Sequence, residues 1–194
     1  MTVVGLFEAA ILAYFLAMNG HQLVFLLRAY LATRRHLAAD FSDELEDLFG
    51  TVHHKPISLI CPVFNEAGGV VASVNSLLAL RYPETQIIVV NDGSTDDSLD
   101  RLVSAFRLRP SQRVVRRVLP SAEMRGLYES LHVPNLVVVD KVNGGKADAL
   151  NCGLNLARFP LVCCIDGDSL LENDALLRVA RPFMQNRDMA VCGG

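Results

Sequence analysis

The chain has 194 residues, five cysteines, a formal net charge of −3 and a pI near 5.9. That length suits one ordinary domain with an added segment rather than two domains, and the lack of a basic balance argues against nucleic acid as a partner. Cys61, Cys152, Cys163, Cys164 and Cys192 are odd in number, form no C-x-x-C and mostly sit in apolar runs, which fits buried free thiols better than a disulfide framework or a zinc site.

Residues 1–36 read as a transmembrane anchor. Val3 to Tyr30 carries only Glu8 and Arg28 as charges. As one helix it would be about 42 Å long, against a hydrocarbon core of ~30 Å. The patch Asn19-Gly20-His21-Gln22 is polar for a membrane interior. Arg28, Arg34 and Arg35 lie at the C-terminal side and no Lys or Arg precedes the run. The positive-inside rule therefore puts the N-terminus outside and the remainder in the cytoplasm, at the cell (inner) membrane. A cleaved signal peptide would need a basic start and a small-residue cleavage site, and neither is present. Residues 37–56 are acidic, with Asp40, Asp43, Glu44, Glu46 and Asp47, and close at Pro56. They read as a solvated linker with room for a short helix.

From Ile57 short apolar runs alternate with helical periodicity. Strands are expected at Ile57–Cys61, Gln86–Val90, Val114–Leu119 (exposed, with interleaved arginines), Leu136–Val139 and Leu161–Ile165. Helices are expected at Val70–Leu80, Ser98–Phe106 with Asp96 or Asp97 as cap, Ala147–Ala157 and Asp174–Phe183. This alternation predicts an α/β domain over 57–194, with a mostly parallel sheet covered on both faces and ligands beyond the carboxyl ends of the strands. The run Val191-Cys192-Gly193-Gly194 breaks off after a strand-like start, so the domain is expected to be incomplete at its C-terminus.

Four polar clusters follow strands or open a helix: Cys61-Pro62-Val63-Phe64-Asn65-Glu66, Asn91-Asp92-Gly93-Ser94-Thr95-Asp96-Asp97, Asn143-Gly144-Gly145-Lys146-Ala147-Asp148 and Asp166-Gly167-Asp168-Ser169. Singly each has a plain reading as turn or cap. Gly-Gly-Lys lacks the spacing and the Ser or Thr of a P-loop, and Asp166-Gly167-Asp168 lacks the rest of a calcium loop. Together they describe one chemistry. Asp166 and Asp168 can share a hard divalent cation that neutralises a diphosphate leaving group. Lys146 supplies a point charge, and Gly144-Gly145 lets backbone N–H groups at a helix start approach phosphate. Asp92 and Glu66 offer acceptors for base and ribose. No histidine has a recognisable partner for nucleophilic catalysis.

With their flanks, as Pro62–Glu66, Val90–Asp96, Asp140–Asn151 and Ile165–Ser169, these four stretches in this order and spacing resemble the family 2 glycosyltransferases. The likeness is greatest to the membrane-bound branch of cellulose, chitin, hyaluronan and poly-N-acetylglucosamine synthases, and it covers the chain from about Ile57 onward. The resemblance implies a GT-A fold, a UDP-sugar donor, Mg²⁺ or Mn²⁺, a glycan or lipid acceptor and inversion at the anomeric carbon. By position it implies that Pro62, Glu66 and Asp92 hold the uridine, Lys146 meets the diphosphate, Asp166 faces the donor as the catalytic carboxylate and Asp168 holds the metal. Asp148 and Asn151 fall beside the site, as structural or functional residues with equal weight. The family's acceptor-side Asp, its general base, and its Gln-x-x-Arg-Trp motif do not occur in this sequence, which has no Trp. The chain is therefore expected to bind donor and to transfer sugar poorly alone. A polyprenyl-phosphate glycosyltransferase and a truncated, non-catalytic nucleotide-sugar-binding module are the competing readings.

Overall fold

In the computed structural model, residues 3–38, 54–186 and 188–193 are described, and they belong to two compact units, Met1–Thr51 and Val52–Gly194. The acidic stretch with its expected short helix lies largely outside the described residues. The first unit is one helix, α1 (Val3–Ala38). Its window Phe7–Leu31 is long and apolar enough to cross a membrane, and every side chain in it is exposed. Polarity at its middle is partly absorbed within the helix, where Asn19 Nδ2 donates to the Phe15 carbonyl at 2.7 Å.

The second unit is built on β1 (Ile57–Val63), α2 (Val70–Leu78), β2 (Thr85–Asn91), α3 (Ser98–Phe106), β3 (Leu108–Pro110), β4 (Met124–Ser130), β5 (Leu136–Lys141), α4 (Lys146–Leu156), β6 (Leu161–Cys164) and α5 (Ala175–Gln185). The sheet order is β3-β4-β5-β2-β1-β6. The strands β6, β1, β2 and β5 are parallel, whereas β4 and β3 add an antiparallel extension beside β5.

Side-chain alternation along the central strands splits the core in two. Leu59, Cys61, Val63, Ile87 and Val89 point to one face, under Val74 and Leu77 of α2, Leu102 of α3 and Leu176 of α5. Ile60, Ile88, Val90, Val137 and Val139 point to the other, under Ala149, Cys152 and Leu156 of α4. Near-continuous burial of β1, β2 and β5 is what a parallel sheet covered on both faces requires.

Two sequence expectations need correction. Strand β1 does not stop before Pro62 but passes through it. The Ile60 carbonyl accepts from Ile165 N, so Pro62 faces the same side, past the last β6 partner at Cys164, where no ladder N–H is needed. Val114–Leu119 is not a strand. Residues 111–123 form an irregular strap lying along α4, and the antiparallel partner of β5 is instead Met124–Ser130. Among the thiols, Cys61 and Cys152 are buried, Cys163 and Cys192 half-buried and Cys164 exposed, and all five are free.

Candidate donor-binding site

The carboxyl ends of the four parallel strands lie on one edge of the sheet, and the polar loops that follow them converge there. Pro62, Val63, Phe64, Glu66, Asp92, Lys146, Asp166, Gly167 and Asp168 line one cleft of about 240 Å³. All six residues singled out from the sequence, Pro62, Glu66, Asp92, Lys146, Asp166 and Asp168, are thus brought together.

The loops after β1 and β2 are bonded to each other. Asn65 takes a left-handed backbone (φ 55°), which Asn tolerates better than most residues, and its Oδ1 accepts from Thr95 N at 2.8 Å. In return Ser94 Oγ accepts from Asn65 N at 3.0 Å, Ser98 Oγ from Glu66 N at 2.9 Å and Asp96 Oδ2 from Ala67 N at 2.9 Å. Asp96 is therefore not simply a helix cap. It joins two loops, and the hydrogen bond from Ser98 holds its carboxyl below the usual range.

This fixes Glu66 against the third loop. A Cβ at Gly167 would lie 2.5 Å from Glu66 Oε2 and 2.6 Å from the Pro62 carbonyl, so only glycine lets the Asp166–Asp168 turn approach this closely. Glu66 Oε2 is buried without a hydrogen-bond partner. Burial first, then the charges of Asp168, Asp166 and Asp96, push the Glu66 carboxyl upward. Lys146 is the one cation among the lining residues and pairs with Asp166. Their side chains are 64% and 58% exposed, so the pair is readily exchanged for another anion. Among the described residues no three His, Cys, Asp or Glu side chains already converge as a metal site. The donor set is that of a partial site: two carboxylates one residue apart, an unpartnered buried carboxylate oxygen behind them, and excess negative charge.

Lys141 falls inside the family-like stretch Asp140–Asn151, but sequence reasoning gave it no role, and it is the residue that holds the glycine loop. Lys141, at the end of β5, has no exposed side-chain surface. Its Nζ donates to Asp92 Oδ1, to the Val142 carbonyl at 2.7 Å and to Asp148 Oδ2 at 2.7 Å. Burial opposes its charge, and the hydrogen bonds to Asp148 and Asp92 outweigh that, so its pKa lies above the ordinary value. Asp92 in turn accepts from Gly144 N at 3.0 Å and Gly145 N at 2.8 Å, and its carbonyl accepts from Asn143 Nδ2 at 2.8 Å. The loop that delivers Lys146 is thereby folded around Asp92. Asp148 also accepts from Ala122 N at 3.0 Å, and Asn151 Nδ2 donates to the Pro120 carbonyl at 3.1 Å. Both residues tie the 111–123 strap to α4, which is a structural role. A lysine beside a strand-end aspartate carries no sequence mark of burial, and only the short spacing from Asp140 to Asp148 hinted at a charge cluster.

Residues 58–194 match the model of Glycosyl transferase family 2. The chain belongs to that family. It is 31% identical over 139 residues to a poly-beta-1,6-N-acetyl-D-glucosamine synthase of Staphylococcus epidermidis, and 28% identical over 139 residues to one of Staphylococcus aureus (strain MSSA476). Each alignment covers 71% of this chain and 28% of the relative, so the chain spans little more than a quarter of their length. Among solved structures, the mannosyltransferase PcManGT from Pyrobaculum calidifontis, determined with GDP-Man and Mn²⁺, superposes with a TM-score of 0.52 at 21% identity. That superposition covers 66% of this chain and 32% of the other and speaks to the fold alone. The fold is GT-A, a mixed but mostly parallel sheet with helices on both faces, as expected from the sequence.

Proposed function

We propose that this chain carries the donor-binding half of a membrane-anchored, inverting glycosyltransferase that moves a sugar from a UDP-sugar to a growing glycan. The observation that carries the proposal is the convergence of Glu66, Asp92, Lys146, Asp166 and Asp168 on one cleft at the strand ends of a family 2 domain. The poly-N-acetylglucosamine synthases among its relatives support the glycan as product class. The apolar helix α1 supports a membrane anchor, and Arg28, Arg34 and Arg35 at its C-terminal side are what argues for the inner membrane with the second unit on the cytoplasmic side.

The cleft volume lies below the ~300–1,000 Å³ typical of whole-ligand sites, so it fits part of a nucleotide sugar. Pro62 offers an apolar surface to a base. Three of the roughly four acceptor positions of the Asp92 carboxylate are used by Lys141, Gly144 and Gly145, leaving one on Oδ2 for a uracil imide. Glu66, with its unpartnered oxygen, can accept from a ribose hydroxyl. Lys146 can leave Asp166 for a diphosphate, since both groups are exposed. A divalent cation held by Asp168, with Asp166 on the donor side, would neutralise the charge that develops on the leaving diphosphate. Two carboxylates alone leave its coordination incomplete, so UDP oxygens would complete it.

Calorimetry of the full chain with UDP tests this. Binding should strengthen with Mn²⁺ or Mg²⁺, and Asp168→Asn should erase that strengthening while leaving metal-free UDP binding in place. Equal UDP affinity with and without metal in the unmodified chain would refute the assignment.

A further inference from the structure

We infer that the strap formed by residues 111–123 is a docking surface for anionic lipid headgroups. This goes beyond the donor-site proposal and stands independently of it. Within residues 111–123 the sequence holds three arginines, Arg113, Arg116 and Arg117, and a single acidic residue, Glu123, although the whole chain carries a net charge of −3. The positive charge is thus local. Arg113, Arg116 and Arg117 are exposed, and among the described residues Arg116 and Arg117 have no ion-pair partner. Arg113 meets Glu129 only at 3.7 Å, with both side chains more than 40% exposed.

The apolar part of the strap divides in two. Val115 packs into the core beneath α4. Val114 and Val118 point away from it and are 93% and 70% exposed. A single exposed valine needs no explanation, but two of them four residues apart, interleaved with three arginines, make an amphipathic surface of the kind that enters a headgroup layer. The strap is also held in that presentation. Asn155 Oδ1 accepts from Val118 N at 2.9 Å and Leu119 N at 2.8 Å, and its Nδ2 donates to the Leu119 carbonyl at 2.9 Å. Asn151 and Asp148 fasten Pro120 and Ala122. The valines are therefore not exposed through slackness of the loop.

The charge complement is an anionic surface, and the same chain carries α1, which is long and apolar enough to enter a bilayer. Basic residues near such a surface each contribute about a fivefold gain in the docked-to-free ratio, and Arg116 with Arg117 therefore about thirtyfold.

The chain has no tryptophan, so a Val114→Trp substitution introduces a single indole at an exposed position. The full chain carrying it is reconstituted into nanodiscs of phosphatidylcholine alone or with phosphatidylglycerol, and Val118→Trp is examined as an independent reporter. With phosphatidylglycerol the emission should shift to the blue and be quenched by brominated lipid. Raising salt to 1 M, where the Debye length falls to ~3 Å, should reverse both effects. Adding Arg116→Gln and Arg117→Gln should lower the docked-to-free ratio about thirtyfold. Solvent-like emission from both reporters in both lipids would overturn the inference. So would an equal blue shift in the two lipids. UDP binding measured on the same samples reports the donor site separately.

Discussion

Replacing Lys141 by methionine should be among the most damaging single changes in the second unit. The substitution keeps most of the side-chain volume and removes the charge. Asp92 and Asp148, with side chains 5% and 24% exposed, then face each other without a counter-ion. Removing one partner of a buried ion pair costs ~3–5 kcal/mol. Asp92 keeps its bonds from Gly144 N and Gly145 N, and Asp148 keeps that from Ala122 N, so the lower end, ~3 kcal/mol, applies. For a unit of this size that is a fall in Tm of about 10 °C. The sign with pH follows from the same groups. The bond to Lys141, with that from Ala122, holds the Asp148 carboxyl below its ordinary value, so its stabilisation is present above about pH 4 and fades as pH drops through that depressed pKa. In the methionine variant the two carboxylates repel, and stability should instead rise as pH drops into the carboxylate range. Thermal and urea unfolding of the full chain in detergent, followed from about pH 8 down to about pH 2, reads this out. Adding Asp148→Asn alone should recover part of the loss, because one of the two uncompensated carboxylates is removed while Asp92 keeps both oxygens for Gly144 N and Gly145 N. A loss below ~1 kcal/mol, or a double variant no more stable than the single one, would refute the account.

Other outcomes can be checked on the same material. Asp92→Ala should weaken uridine, UMP and UDP alike, whereas Lys146→Ala should spare uridine and weaken UDP by about ten- to a hundredfold; calorimetry across the three ligands decides, with unfolding curves to separate loop collapse at Asp92 from lost recognition. Glu66→Gln removes a carboxylate pushed upward by burial and by Asp168 and Asp166, so Tm at pH 7 should rise while uridine binding weakens; a lower Tm would mean that the repulsion is already offset. Asn155→Ala deletes three hydrogen bonds to the strap and should cost ~1–2 kcal/mol, with earlier proteolysis near Arg116 and Arg117; an unchanged cleavage pattern would show that the strap is held by Val115 packing instead.

Much of the second unit was legible because its signals are period and punctuation. Apolar runs such as Ile87–Val90 and Val137–Val139 are fully buried strands, and polar loops after strands of a parallel sheet have to meet at one edge. That is why Glu66, Asp92, Lys146, Asp166 and Asp168 could be grouped without coordinates, with Pro62 added by the family resemblance. The strap misled for a definable reason. Val114-Val115 and Val118-Leu119 with interleaved arginines have strand composition, but the N–H groups of Val118 and Leu119 are taken by the Asn155 side chain and not by a neighbouring strand. The real strand, Met124–Ser130, is interrupted by Gly126 and a register shift beside it, and it is only half-buried, so it carries neither a clean alternation nor an apolar run. The role of Lys141 was out of reach, although the residue falls inside the family-like stretch Asp140–Asn151. A lysine at a strand end reads as solvated until the two carboxylates that meet it are placed around it.

The commitment of Asp92 to Gly144 and Gly145 bears on how this scaffold can change over evolutionary time. One carboxylate lines the cleft and is also the post around which the Lys146-bearing loop winds. A mutation at position 92 that altered base preference would at once unseat the group placed to meet phosphate. New nucleotide specificity should therefore arise through other lining residues such as Val63 and Phe64, while Asp92, Lys141 and the two glycines are inherited or lost as a block.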